Sequence, residues 1–237
     1  MAAEPHEKRA ALVTGAARGL AQGIVVDLAE RGFRVAFTFR PNGTAPDETL
    51  ALARRNGAHT IAVACDHALE RATLAAVHEA EGAIGAIDTL VHTVGPMIAR
   101  RFERLTLDDY REMLDTNLRS AVEAAQAVLP GMRERGFGRL VYFGMHGSHA
   151  TIPMRGTSFY GAAKAAVVSF ARTLALEEKG HGITVNVVEP GDIRDKSLES
   201  PAAREVVEAV RLLISDETGF LNGAVLGVGG GIAVVSE

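Results

Sequence analysis

Short apolar runs rich in β-branched residues alternate with longer stretches of helical periodicity along the whole chain, and this alternation constrains the fold most. The short runs fall at residues 10–14, 34–39, 60–64, 88–92, 139–143, 184–188 and 225–228. Several are apolar at consecutive positions, as in Leu140-Val141-Tyr142-Phe143, the pattern of strands covered on both faces. Helical patterns lie near 19–31, 47–56, 69–82, 106–135, 157–179 and 203–215. Gly32, Gly57, Gly136 and Gly180 stand where these helices should stop. Strand, helix, strand in repetition requires crossover connections, and so predicts an α/β chain with a doubly wound parallel sheet of about seven strands. No Pro-rich or Ser-rich linker and no internal repeat divides residues 1–237, which read as one domain with a polar tail at 1–8. Ligands of such sheets bind beyond the carboxyl ends of the strands. Chemistry is therefore sought at 14–21, 39–41, 65–67, 93–97, 144–149 and 189–196.

Composition removes several function classes. With 47% hydrophobic and 23% charged residues, the chain can bury a sizeable core and is not a disordered segment. A net charge of −4, with Lys and Arg scattered, argues against a nucleic-acid partner. Zero Trp and 5% aromatics give no platform for stacking bases. Cys65 has no second cysteine to pair with and suits a reducing compartment. The first ten residues lack the apolar core of a signal peptide, and the most apolar helical stretch is interrupted by Lys164, Ser169 and Arg172. The expectation is a soluble, cytoplasmic protein with no membrane partner.

Two motifs carry chemistry. Thr14-Gly15-Ala16-Ala17-Arg18-Gly19-Leu20-Ala21 follows the first strand and opens the first helix. Gly15 permits a tight turn, and Gly19 lets backbone N–H groups approach a pyrophosphate at a helix N-terminus. A purely architectural turn is the alternative. Tyr160 and Lys164, four apart on a helix, project into the same space. A cation beside a phenol favours the phenolate, so this pair is expected to lower the Tyr160 pKa. Taken alone, the spacing also describes an ordinary surface pair.

Together, these motifs in an alternating α/β chain resemble the short-chain dehydrogenase/reductase family over essentially the whole sequence, nearest its 3-oxoacyl-carrier-protein-reductase-like branch. Asn117 in Thr116-Asn117-Leu118, Asp88-Thr89-Leu90-Val91 before Gly95, Pro190-Gly191 and the closing segment 223–231 add to the likeness. The resemblance implies a single Rossmann-like domain and hydride transfer between a nicotinamide cofactor and a carbonyl or alcohol. It makes Tyr160 the proton donor in reduction, Lys164 the ligand of the nicotinamide ribose and Asn117 the holder of a relay water. An asparagine bonded locally within its helix is the alternative for Asn117. Cofactor contacts are implied at Gly15, Arg18, Gly19, Leu20, Asp66, Gly95, Tyr160, Lys164, Pro190, Gly191 and Ile193.

NAD-binding members carry an acidic residue at the end of the second strand. Here that strand ends Thr38-Phe39-Arg40-Pro41, and Arg40 with Arg18 suits a 2′-phosphate, so NADP(H) is the expected cofactor. Solvated surface arginines are the alternative, and for Asp66 a loop cap. A small-molecule or acyl-carrier carbonyl is the expected substrate, and a homodimer or homotetramer the expected assembly. The long helices at 106–135 and 157–179 would pair through Ala121, Ala124, Ala125, Ala165 and Ala166, although a buried face within one chain explains the same alanines.

The sequence departs from the family in four places. Ala21 replaces the third glycine, a tolerated change. His92-Thr93-Val94-Gly95 replaces the usual Asn-Asn-Ala-Gly. Met145 occupies the catalytic-serine position counted from the fifth strand, and a thioether cannot donate a hydrogen bond. Ser148, in a loop that carries extra residues, is the candidate replacement donor, with an ordinary loop serine as its alternative. His146 and His149 could also donate, but with His92 they are read as solvated loop histidines and not as metal ligands. Finally, residues 192–202 form a shortened substrate loop, with Asp195 where a threonine often contacts the nicotinamide carboxamide. Met145 and the short loop favour a second reading, a catalytically silent cofactor-binding scaffold. Tyr160, Lys164, Asn117, Arg18 and Arg40 together favour the enzyme.

Overall fold

The structure is a computed structural model that describes residues 9–55 and 57–229. The tail at 1–8, Asn56 at the expected end of the second helix, and residues 230 and 231 of the closing segment lie outside the described residues.

Strands β1 (Ala10–Thr14), β2 (Arg34–Phe39), β3 (Thr60–Ala64), β4 (Thr89–His92), β5 (Gly138–Phe143), β6 (Ile183–Pro190) and β7 (Val225–Val228) form one sheet. Its order is β3-β2-β1-β4-β5-β6-β7, with every neighbouring pair parallel. The doubly wound parallel sheet expected from the alternation is therefore present. The strand order reverses beside β1, where the crevice for a ligand opens between β1 and β4.

Successive strand residues face opposite ways, and the core divides accordingly. Ala10, Leu12, Leu140 and Tyr142 meet helices α3 (Ala72–Ile84), α5 (Ser120–Arg135) and α6 (Ser158–Glu178) on one face. Ala11, Val13, Val141 and Phe143 meet α1 (Gly19–Glu30), α2 (Asp47–Ala53) and α7 (Pro201–Leu213) on the other. Ala121, Ala124 and Ala125 lie inside the first of these cores, which corrects their assignment to a two-fold contact. Ala165 and Ala166 remain partly exposed.

The expected helix at 106–135 is continuous in path but not in pitch. Thr106 caps α4 (Leu107–Leu114) in a reciprocal box with Asp109. A π-turn at Asp115–Arg119 then leads into α5. Such a turn inserts an extra residue and commonly marks a functional position, and Asn117 is at its centre.

Two boundaries also differ from expectation. Gly180 does not stop α6: a 3-10 turn runs through Lys179–His181 and Gly182, at φ +70°, makes the reversal. β6 continues past 188 to Pro190, placing Glu189 in the sheet. No described helix is long and apolar enough to cross a membrane.

Candidate active site

The turn from β1 into α1 is fastened to β2. Thr38 accepts the Gly15 N–H through its hydroxyl at 2.8 Å and the Ala16 N–H through its carbonyl at 2.8 Å. Gly15 and Gly19 both have φ of +68°, which a side chain would strain. Arg18 is exposed just before the helix, and Leu20 packs on the α1–α7 core together with Ile193. A cleft of about 390 Å³ opens here, lined by Gly15, Arg18, Phe39, Arg40, Gly43 and Thr44. Arg40 Nε lies 3.3 Å from Asp66 Oδ2, and Asp66 Oδ1 accepts the Ala68 N–H. Asp66 is thus both a loop cap and a partner of Arg40.

Tyr160, Lys164, Asn117 and Gly95 come together beyond the carboxyl end of β4. Lys164 is buried, donates to the Phe143 carbonyl at 2.8 Å, and lies 5.7 Å from the centre of the Tyr160 ring. Asn117 donates to the Met113 carbonyl at 3.0 Å, the local bond weighed as its alternative. Its buried Oδ1, however, has no hydrogen-bond partner among the described residues. That oxygen faces Gly95. A β-carbon at Gly95 would lie 2.2 Å from Asn117 Oδ1 and 2.6 Å from Lys164 Nζ. A glycine cradle with a buried orphan acceptor and an ammonium at its wall fits the ribose and nicotinamide end of a dinucleotide.

Burial decides the charge states. It pushes the Tyr160 phenol up to about 12 and pulls the Lys164 ammonium down to about 8. This corrects the expectation of a lowered tyrosine pKa, because burial raises it and Lys164, 5.7 Å from the ring centre, adds no counteracting pull.

The turn after β5 carries the departures from the family. Met145 is buried with its thioether methyl against Gly161 of α6. Ser148 donates its hydroxyl to Glu189 Oε1 at 2.6 Å and accepts the Met145 N–H at 3.1 Å. A hydroxyl has one proton, so the donor proposed for the carbonyl oxygen is already committed to a buried carboxylate. Glu189 is a residue that motif reasoning missed. Its one trace in the sequence is an acidic residue between the Val187-Val188 pair and Pro190-Gly191.

Of the three histidines only His149 is exposed as expected. His92 sits in β4, buried, bonded to Thr14 Oγ1 at 3.1 Å and to Ser120 Oγ at 3.0 Å. His149 is half exposed but bonded through Nδ1 to Glu189, and His146 is partly buried beside Gly229. Among the described residues no cluster of His, Cys, Asp and Glu could hold a metal ion. Pro190 ends β6, and Gly191 packs so closely on Gly229 that a β-carbon would come within 2.7 Å. The segment after it does not hang free. Leu198 seats against Gly23 of α1, and the Lys196 stem crosses Gly19.

Comparison with known proteins gives this arrangement its family. The short chain dehydrogenase family model matches residues 9–205. The chain belongs to the short-chain dehydrogenase/reductase family. The 3-oxoacyl-[acyl-carrier-protein] reductase of Vibrio harveyi is 32% identical over 247 residues, covering 97% of this chain and 99% of that one. Acetoacetyl-CoA reductase of Shinella zoogloeoides is 31% identical over 245 residues, covering 94% and 98%. A blue fluorescent protein from a metagenomic library, solved in complex with NADPH, superposes with a TM-score of 0.87 at 28% identity, covering 97% and 100%. Within this oxidoreductase family the chain stands in the 3-oxoacyl-reductase-like branch.

Proposed function

We propose that the protein is an NADPH-dependent reductase of a ketone or 3-oxoacyl-type carbonyl, acting in the cytoplasm as a homodimer or homotetramer. The observation that carries this reading is the Gly95 cradle, where Lys164 Nζ and the orphaned Asn117 Oδ1 meet beside Tyr160. When bound, the reduced nicotinamide supplies the hydride. The chain supplies the proton and the orientation. Tyr160, with its phenol near 12, is protonated throughout the neutral range, the form that donates to a carbonyl oxygen. Lys164 and Asn117 fix the ribose and a relay water. Arg18 and Arg40 border the cleft beside the Gly-rich turn and supply charge for a 2′-phosphate. The names of the relatives, which act on acyl-carrier and CoA thioesters, support an acyl-thioester substrate.

A catalytically silent scaffold is the second reading, favoured by Met145 at the serine position and by the commitment of Ser148 to Glu189. Equilibrium binding followed by turnover separates the two. NADPH is expected to bind in the micromolar range, roughly tenfold or more tighter than NADH, which is about 1.4 kcal/mol of discrimination. Tyr160→Phe should abolish NADPH-dependent reduction of acetoacetyl-CoA with cofactor affinity nearly intact. Unchanged turnover in that variant removes Tyr160 from the chemistry, and binding of neither dinucleotide leaves the scaffold reading.

A further inference from the structure

At the end of β4, just before the segment that carries Gly95, runs a buried hydrogen-bond chain that the Tyr160, Lys164 and Asn117 centre does not use. His92 is 2% exposed, and its partners Thr14 and Ser120 are fully buried. The direction of each bond follows from the remaining partners. Ser120 Oγ is 2.6 Å from the Thr116 carbonyl, which can only accept, so the serine proton goes there. The serine oxygen then receives Nε2–H of His92 at 3.0 Å. Burial keeps the ring neutral, with one donor and one acceptor. Nδ1 is therefore the acceptor and takes the Thr14 hydroxyl proton at 3.1 Å, while Thr14 Oγ1 receives the Thr93 N–H at 3.1 Å.

Each end of the chain grips a peptide plane that leads into the site. The Thr116 carbonyl belongs to the peptide bond with Asn117, so the Ser120 hydroxyl holds the plane from which Asn117 departs. Within the π-turn the Ser120 N–H goes to the Asp115 carbonyl. Its hydroxyl takes the Thr116 carbonyl, which an α-helix would give to that N–H. At the other end, Thr93 donates its hydroxyl to the Thr14 carbonyl, which belongs to the peptide bond with Gly15. His92 thus stands between the Gly-rich turn and the residue whose orphaned Oδ1 faces the Gly95 cradle.

We infer that His92 is a positioning residue for the reduction, bridging Thr14 to Ser120 and, through Ser120, setting where Asn117 stands relative to the bound dinucleotide. The inference rests on the reductase reading. Asparagine, the usual residue at this place in the family, carries its polar atoms at the level of Nδ1 and reaches the Thr14 side alone. The bond to the π-turn is what the imidazole adds.

The two ends of the bridge can be cut separately. His92→Asn keeps an acceptor for Thr14 and loses Ser120, whereas His92→Gln reaches Ser120 with its amide N–H and loses Thr14. The measurements are acetoacetyl-CoA reduction at saturating NADPH, equilibrium NADPH binding and Tm. His92→Asn is expected to lower kcat by roughly ten- to a hundredfold, with NADPH affinity within about threefold of wild type. His92→Gln should show the reverse split, with NADPH affinity about tenfold weaker and kcat largely kept. Ser120→Ala should match His92→Asn in kcat, and combining the two should add less than about threefold. A His92→Asn kcat within about threefold of wild type overturns the inference. If both His92 variants lose kcat, NADPH affinity and Tm in step, the histidine is merely structural and the inference falls. Should the His92 variants fail to fold, Ser120→Ala carries the kinetic test and 15N spectra of the wild type test the bridge. Those spectra should show Nε2 protonated and Nδ1 bare, and the opposite tautomer overturns the chain. An inactive wild type that still binds NADPH sinks the reductase reading and this inference with it, whereas an active wild type beside equally active His92→Asn and Ser120→Ala sinks this inference alone.

Discussion

At Gly95 the backbone has φ of +156°, and no space exists for a β-carbon between Asn117 Oδ1 and Lys164 Nζ. Gly95→Ala therefore has to push apart the two groups that line the cradle. The expected outcome is at least tenfold weaker NADPH binding in a titration, with a stability loss on the order of 1–3 kcal/mol in urea denaturation. Unchanged NADPH affinity would mean that the dinucleotide does not use this cradle. Tyr160 and Lys164 were legible in the sequence because their spacing is local, and Asn117 only through the family resemblance. Their charge states were not. The pair rule predicted a lowered tyrosine pKa, but burial is a property of everything packed around α6 and moved it up to about 12. Ser148 illustrates the same limit, since its partner Glu189 is 41 positions away.

Among the elements, the strands were read almost to the residue, because continuous apolar runs bounded by Gly and polar residues leave little freedom in register. The π-turn at Asp115–Arg119 was not legible. At its end Ser120 donates to the Thr116 carbonyl at 2.6 Å and also meets His92 from β4, a partner 28 positions away. Residues 192–202 were expected as a trimmed, open loop, but Leu198 anchors the segment in the groove between α1 and α7, against Gly23 and Val207. Leu198→Ala should release this segment without unfolding the sheet. Amide exchange at residues 193–199 is expected to quicken while global stability falls by less than about 1 kcal/mol. Unaltered exchange there would show that Leu198 is not the anchor.

At the scale of the whole molecule, two neutral histidines tie the sheet to its helices beneath the Gly-rich turn. His67 bonds Thr38 Oγ1 at 2.7 Å and Thr73 Oγ1 at 2.8 Å, and its ring meets that of His92 edge-on at 6.2 Å. Burial holds His67 down at about 4 despite Asp66 and Glu123, with Arg119 adding to the depression, and holds His92 well below its ordinary 6.5. The unfolded chain binds these protons near pH 6.5 and the native protein does not. The stabilisation is thus complete above about 6.5 and falls with pH below it, that of His67 being lost by about 4. For His67 alone the change is about 3 kcal/mol. Urea denaturation should show that loss between pH 7 and pH 4, with a shallower slope in His67→Gln. Parallel pH dependences in the two proteins would contradict it.

What the sequence by itself determined was the order of strands and helices, the parallel sheet, the Gly-rich turn and the Tyr160–Lys164 face, all of which rest on periodicity and short-range sterics. Only the tertiary structure decided which protons are free to move. Four donors from the β5–α6 turn converge on Glu189 because β6 runs beside β5, and that convergence withdraws Ser148 and orients His149. Hydrogen-bond partners and desolvation are set by neighbours distant along the chain, and local spacing carries no record of them.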